Sequence, residues 1–267
     1  MSPMIRLITC DIDGTLLLDG AWELEDRYFP LIRAIRERGI AFAAASGRQH
    51  DRLRRMFAPV ADDILFICEN GAVVYNGDRK LSETPLDEQK AHRLTREILA
   101  VPECEVLISG AESCYLIPKT DDYVHLIRDL IGYRTVLVSS ADEIPETIIK
   151  VSAYRKDGAS VLAPRFAPWA SDFNMAIAGN EWLDFTLSDK GTGLDDICKA
   201  LQIDRADVMS FGDNYNDLPL LKKAGVPFIM EGADAPLLRQ FPRRCHNVFE
   251  TLEKFLALGE ENFFKTT

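Results

Sequence analysis

No apolar run in this 267-residue chain approaches the roughly 20 residues that cross a bilayer, so a membrane-spanning protein is not expected. The apolar stretch near the N-terminus is too short for a signal peptide and runs straight into Asp11 and Asp13, which makes a cytoplasmic location the expectation. Six cysteines are present (Cys10, Cys68, Cys104, Cys114, Cys198, Cys245), but no two form a C-x-x-C pair. Neither a disulfide framework nor a zinc ribbon is indicated, and reduced, buried thiols are expected. His50, His92, His125 and His246 share no metal-ligand spacing, which argues against a histidine-based metal centre. Basic residues are in the minority, 31 against 42 acidic, for a formal charge of -11. Such a balance disfavours nucleic acid as a partner, because phosphate backbones are held mainly by lysine and arginine. Gly191-Thr192-Gly193 lacks the third glycine and the preceding strand of a dinucleotide fingerprint. Internal repeats and low-complexity tracts are also missing.

What remains is a composition of 47% apolar and 27% charged residues, that of a globular protein of enzyme size with one large domain or two smaller ones. Leu7 to Cys10 is an apolar run without polar alternation, which predicts a strand covered on both faces. Phe29, Leu31, Ile32 and Ile35 then recur at helical spacing, with Gly39 as a stop. A second run, Ile40 to Ala45, ends at Ser46-Gly47-Arg48 and is followed by a helical pattern around Leu53 to Phe57. The third, Ile64 to Cys68, ends at Glu69-Asn70-Gly71, with an Asn76-Gly77 turn beyond it. Alternation of this kind predicts parallel strands joined by right-handed crossovers.

The pattern changes after about Leu81. A charged helical stretch (Leu86 to Leu99) leads into adjacent strands at 106–108 and 114–117, a helix from Tyr123 to Leu130, and strands at 135–138, 148–154, 174–178 and 182–187, with a short helical piece near 160–166. Trp169 and Trp182 are expected in the core of this block. From Ser188 the first pattern resumes, with a helix from about Gly193 to Leu201, the run Val208 to Phe211 ending at Gly212-Asp213-Asn214, a helix from Asp217 to Lys223, a strand at 226–230 and terminal helix. The expectation is a discontinuous parallel-sheet domain, 1–81 and 188–267, interrupted by a smaller α+β domain, 82–187.

Three of the apolar runs end in polar residues suited to a shared chemistry, namely Asp11 and Asp13, Ser46, and Asp213. Ligands of open α/β sheets bind beyond the carboxyl ends of the strands, so these residues are expected to converge. Positions i and i+2 of an extended segment project to one side, which would point Asp11 and Asp13 at one small volume, and two like charges that close call for a proton or a cation. Acids from two strands suit a hard divalent ion that takes oxygen ligands and keeps several waters. By itself Asp-x-Asp-Gly reads equally as a strand-ending turn, and Asp213-Asn214 as a turn or helix cap.

Asp11-Ile12-Asp13-Gly14-Thr15, Ser46-Gly47-Arg48, Lys190 in Asp189-Lys190-Gly191, and Gly212-Asp213-Asn214-Tyr215-Asn216-Asp217 resemble the four ordered motifs of the haloacid dehalogenase superfamily, most closely the Cof-type phosphatases, whose C2B-type cap lies between the second and third motifs. The resemblance spans nearly the whole chain. It departs from the family pattern at Tyr215, where a small or acidic residue is commoner, and at Met230-Glu231-Gly232-Ala233. It implies an α/β fold with a Rossmann-like, doubly wound core and an inserted cap. It further implies a phosphatase acting on a small phosphorylated metabolite, such as a sugar phosphate, through an aspartyl-phosphate. In that scheme Asp11 is the nucleophile and Asp13 the proton carrier. Mg²⁺ is held by the Asp11 carboxylate, the Asp13 backbone carbonyl and Asp213. Lys190 adds a point charge to the nucleophile and the phosphoryl group, while Ser46, Gly47 and Asn216 bind phosphate. Thr15, Asn214 and Asp217 support the loop, and Arg48 is left as either a surface charge or a site residue. A phosphomutase or phosphotransferase using the same intermediate is the alternative, followed by a silent phosphate-binding regulator. A dehalogenase needs neither Asp13 nor a metal, and a P-type ATPase carries threonine at position 13. A monomer or homodimer is expected, with no nucleic-acid or membrane partner.

Overall fold

The computed structural model describes residues 4–178 and 180–265. The first element is β1 (Leu7–Asp11), every residue of which is buried. The helix α1 (Tyr28–Glu37) follows, burying Tyr28, Phe29, Leu31, Ile32 and Ile35. Its periodic face is the one read from the sequence. Next come β2 (Ala41–Ala45), α2 (His50–Met56) and β3 (Leu65–Cys68). Strands β1, β2 and β3 pair in parallel, in the order they occur. The next strand breaks the alternation: β4 (Val73–Asn76) runs antiparallel to β3, and β5 (Arg79–Glu83) lies beyond it at the sheet edge.

The chain then forms a second compact unit, Glu83–Ser188. It contains α3 (Glu88–Leu99), β6 (Glu105–Gly110), β7 (Cys114–Leu116), α4 (Asp121–His125) continued by a π-helical turn (Leu126–Leu130), β8 (Thr135–Leu137), β9 (Ile148–Tyr154), α5 (Ala163–Phe166), β10 (Asn174–Ala178) and β11 (Trp182–Thr186). Its six strands lie in the order β10-β11-β9-β6-β7-β8, antiparallel except for the pair β7 and β8. Side-chain alternation divides the sheet into two faces. Val106, Ile108, Val151, Ala153, Leu183 and Phe185 pack under α3 and α5, with Trp169 in that core. On the other face Leu107, Cys114 and Leu116 pack against Tyr123, Val124 and Ile127 of α4 and its extension.

The first unit, Met1–Ser82 with Asp189–Thr267, is completed by α6 (Lys190–Leu201), β12 (Val208–Gly212), α7 (Leu218–Lys223), β13 (Val226–Met230), α8 (Ala235–Leu238), β14 (Arg244–Cys245), α9 (Val248–Leu258) and α10 (Glu260–Phe263). Its eight strands lie in the order β14-β13-β12-β1-β2-β3-β4-β5. Strand β12 pairs in parallel with β1 on the side opposite β2, so strand order reverses at β1. The carboxyl ends of β1 and β12 therefore flank the switch point of a doubly wound sheet, where such folds bind ligands. One face of this sheet is closed by Leu194 and Ile197 of α6 and Leu220 of α7. Helices α1 and α9 pack together, with Tyr28 set edge-on to Phe249 at 5.5 Å.

Several boundaries differ from the sequence reading. Helix α6 starts at Lys190, three residues before Gly193, because Asp189 caps it. The Asp189 carboxylate accepts from the Thr192 amide at 2.7 Å, and the Thr192 hydroxyl accepts from the Asp189 amide. The reciprocal cap offsets the low helix propensity of Gly191 and Gly193. Before α7, residues 215–217 form a separate 3₁₀ turn. Strand β14, two residues long, carries too short a signal to read.

At the end of β3 the backbone is left-handed at Glu69, Asn70 and Gly71 (φ 50°, 54° and 93°). A Cβ on Gly71 would lie 2.0 Å from the Asp189 carbonyl oxygen. Gly71→Ala is expected to cost about 3 kcal/mol or more, combining a strained φ with a backbone clash. Urea denaturation checks this, and a loss below about 1 kcal/mol would show that the loop is free to shift.

Candidate active site

β1 delivers Asp11 to the carboxyl edge of the sheet, 4% exposed. Lys190, the first residue of α6 and 1% exposed, reaches back to it and donates to Asp11 Oδ1. The same ammonium donates to Asp217 Oδ1 at 2.6 Å. Asp217 is wholly buried, and its other oxygen accepts from the amides of Asp213 and Asn214, both at 3.0 Å. A single carboxylate thus fixes the loop after β12 and the lysine together. Asn214 caps the turn through the Tyr215 amide at 2.8 Å, and Tyr215 projects half-exposed.

Asp213 completes the group. It accepts from the buried Thr15 hydroxyl at 3.4 Å, and carboxylate oxygens of Asp11, Asp213 and Asp217 lie within 4.8 Å of one another. Gly14, at φ +85°, makes the approach possible, because a Cβ there would lie 2.3 Å from Asp213 Oδ2. Three carboxylates therefore face one ammonium. Burial pushes the Asp11 carboxyl well above the ordinary range, and Asp217 adds to this while Lys190 opposes it. For Asp213 burial and the Asp217 charge raise the value to about 6. Burial works against the charge on Lys190, but Asp11 and Asp217 outweigh it and raise its pKa. Crowded hard-oxygen donors with an excess of negative charge fit a small divalent cation.

The carboxylates that cluster with Asp11 are Asp213 and Asp217, and Asp13, which the sequence pairs with Asp11, is not among them. The strand stops at Asp11 and the chain turns at Ile12, whose carbonyl accepts from the Thr15 and Leu17 amides. Without extended backbone the i, i+2 rule does not apply, and the Asp13 side chain is 60% exposed. Arg48 grips it with both ends of the guanidinium, Nη2 to Oδ1 at 2.5 Å and Nε to Oδ2 at 3.2 Å. The third carboxylate of the cluster is Asp217, assigned only a supporting place from sequence. Arg48, which the sequence leaves between surface and site, is the partner of the second motif-one acid.

Ser46 lies at the end of β2, 2% exposed, its hydroxyl accepting from the Arg48 amide at 3.3 Å. A Cβ on Gly47 would meet the Asn70 side-chain nitrogen at 3.1 Å. Asn216 donates to Asn70 Oδ1 at 3.5 Å, and the Asn70 amide donates to the Ser46 carbonyl at 2.9 Å. Asn70 therefore links the three residues assigned to phosphate from sequence, and sequence reasoning missed it. The signal was present: an Asn-Gly pair at the end of an apolar run, where asparagine tolerates left-handed backbone.

All six cysteines are buried, and no described helix is long and apolar enough to cross a membrane.

A family model for haloacid dehalogenase-like hydrolases matches residues 8–243. The chain is 28% identical over 261 residues to 5-amino-6-(5-phospho-D-ribitylamino)uracil phosphatase YbjI of Escherichia coli, covering 94% of this chain and 96% of the relative. It is 24% identical to a phosphoglycolate phosphatase of Sulfolobus acidocaldarius, covering 88% and 87%. Among solved structures, a protein of Eubacterium rectale superposes with a TM-score of 0.84 at 28% identity over 94% of this chain and 99% of that one. A sugar phosphatase of haloacid dehalogenase subclass IIB, at 17% identity and a TM-score of 0.78 over 94% and 98%, shares the fold.

Proposed function

The chain belongs to the haloacid dehalogenase-like hydrolases and is an enzyme of their phosphatase group, and from that premise we propose that it is a Mg²⁺-dependent phosphatase that acts on a small phosphomonoester through an aspartyl-phosphate. The observation that carries the reading is the buried Lys190 ammonium bound to Asp11 and Asp217, with Asp213 in the same carboxylate group, at the switch point of the sheet. The named relatives, a ribitylaminouracil phosphatase and a phosphoglycolate phosphatase, support a small phosphorylated metabolite as substrate.

In the first step Asp11 attacks phosphorus. The Asp11 oxygen to phosphorus bond forms, the bond from phosphorus to the substrate oxygen breaks, and Asp13 protonates the departing alkoxide. In the second step a water attacks the same phosphorus, Asp13 takes its proton, and inorganic phosphate leaves with Asp11 restored. Lys190, donating to Asp11, opposes the burial that favours its protonated form and so promotes the ionised, attacking form. Ser46, Gly47 and Asn216 orient the phosphoryl oxygens, and their positions are set before substrate arrives, which is where such donors gain most. Mg²⁺, held by Asp11, Asp213 and the Asp13 carbonyl, would neutralise charge on the phosphoryl group. Asp217 holds the Asp213 loop through two amides, and Thr15 and Asn214 fix the two turns. Asp13 must let go of Arg48 to serve as proton carrier. That ion pair is exposed on one side and costs little to open.

Release of phosphate from an aryl phosphate in the presence of Mg²⁺, and its arrest by a chelator, tests the reading directly. Cation binding requires Asp213 to be ionised, so Mg²⁺ affinity should climb as pH rises through about 6 and level off above it. Calorimetric titration at pH 5 and pH 7.5 checks this, and equal affinity at both would remove Asp213 from the ligand set. The metal-free protein should behave in the opposite sense. Its Asp213 keeps a proton that the unfolded chain has lost between 3.8 and about 6, so this group lowers stability as pH rises through that window.

Asp13→Asn separates the two steps. With an aryl leaving group, which needs no proton, the phospho-enzyme should still form and then decay slowly. Rapid-quench trapping of acid-stable, hydroxylamine-sensitive label would reveal it, and rapid decay would remove Asp13 as the base.

A further inference from the structure

The sheet of the first unit has a second opening, at the end opposite Asp11. Ile5 and Arg6 lead into β1, Arg38 to Ile40 lead into β2, and parallel pairing puts both approaches at one edge. Between them and the C-terminal helices lies a cavity of about 450 Å³, a size that suits a small ligand, and none of its lining residues takes part in the chemistry above. Buried Ile40 and Phe255 line it, as does Met4, which is 63% exposed. At Gly39 (φ +77°) an added Cβ would meet nothing within 4 Å, so the opening reaches the backbone itself.

The charges that border this cavity are of both signs and are not joined to one another. Glu260, the first residue of α10, accepts from the Ile5 amide at 3.0 Å through Oε1. Burial raises its carboxyl above the ordinary range, and the Asp207 charge adds to the effect. No cation pairs with Glu260 among the described residues. Arg6 donates to the Gln202 carbonyl at 3.1 Å through Nη1, and the Arg38 guanidinium has no hydrogen bond or ion pair among the described residues.

This set of groups selects the ligand. A bare anion would meet the arginines but also Glu260, and a bare cation would meet the reverse. A polyol would leave the apolar wall unused, and the phosphates of a nucleotide would set surplus negative charge against a part-buried carboxylate. A zwitterion satisfies both signs, with a carboxylate on the guanidinium fork and an ammonium on the carboxylate. An apolar remainder would cover Met4 and lie over Phe255 and Ile40. We propose that this cavity binds a free α-amino acid with a large apolar side chain, its carboxylate on Arg38 and Arg6 and its ammonium on the second oxygen of Glu260.

L-Phenylalanine and L-leucine, titrated into the intact protein at neutral pH and followed by saturation-transfer NMR, test the site. The readout needs no turnover, so its failure is distinct from failure of the phosphatase reading. Wild-type protein should give a saturable signal. 3-Phenylpropionate, which lacks the ammonium, and phenethylamine, which lacks the carboxylate, should each bind about tenfold more weakly than phenylalanine, since hydrogen bonds between charged groups are the stronger ones. Arg38→Gln should weaken the amino acid by a similar factor. Glu260→Gln keeps an oxygen for the Ile5 amide, and it should weaken phenylalanine while leaving 3-phenylpropionate no weaker, a split that a merely structural role would not produce. Gly39→Asn fills the opening with a side chain that tolerates positive φ, and it should abolish the signal. If that variant does not fold, Arg38→Gln decides. No saturable signal from either amino acid, binding of 3-phenylpropionate as tight as that of phenylalanine, or a signal that Arg38→Gln leaves unchanged overturns the proposal.

Discussion

Asp11→Asn is expected to lower turnover of an aryl phosphate by on the order of 10⁴-fold or more, the scale seen when a covalent nucleophile is removed. The fold should survive. Asparagine has the shape of aspartate and its amide oxygen can still accept from Lys190, so the buried ammonium keeps two partners. One of three crowded carboxylates is also gone, which relieves the repulsion between Asp11 and Asp217. The metal-free variant should therefore melt no lower than the wild type. Phosphate release and a thermal melt on the same preparation check both halves, and undiminished turnover would sink the covalent mechanism.

Lys190→Met should do the reverse, damaging fold and activity together. Lys190 is the common partner of Asp11 and Asp217, all three of them buried. Its removal strands two carboxylates beside Asp213, and uncompensated buried charge typically costs about 3–5 kcal/mol. For a unit of this size that is a fall in melting temperature on the order of 10 °C. Protonation of an acid recovers part of the loss at low pH, so the defect should be larger at pH 8 than at pH 5. Mg²⁺ should recover part of it at neutral pH, because a cation bound only by the folded state stabilises by mass action. Turnover with saturating Mg²⁺ should still fall by about 10²–10³-fold, the scale of a lost charge-stabilising group. An unchanged melt would mean that Lys190 is not the counter-ion the geometry makes it.

The two variants expose an asymmetry between the acids of the first motif. Asp11 sits in a tight, fully partnered cluster, whereas Asp13 is held at the rim by Arg48. A nucleophile benefits from fixed position, and a proton carrier that serves first a leaving group and then water benefits from freedom to move. In the proposed roles of Asp11 and Asp13, ending the strand at Asp11 would meet both needs within three residues.

Much of the fold was legible along the chain because its signals are local. Unbroken apolar runs marked the buried parallel strands, 3.6-residue spacing marked α1 and α9, and the loss of that alternation after Leu81 marked the second unit. Asp11, Ser46 and Asp213 could be named as site candidates because each follows such a run, and strand ends are where doubly wound sheets bind ligands. Lys190 was legible by resemblance alone, since nothing in its neighbourhood distinguishes it from a surface lysine.

The elements, their order and the residues at their ends were thus determined by the sequence itself, through periodicity and through the chemistry of residues that stop a strand. Tertiary structure decided how the acids divide. Asp217 joins Asp11 and Asp213 because α6 brings Lys190 between them. Asp13 turns out to Arg48 because the backbone bends at Ile12, and Asn70 enters the site because a left-handed turn closes it against Gly47 and Asn216. Each of these depends on contacts between residues far apart in the chain, and a one-dimensional pattern records spacing but not which distant charge comes to rest within hydrogen-bond reach.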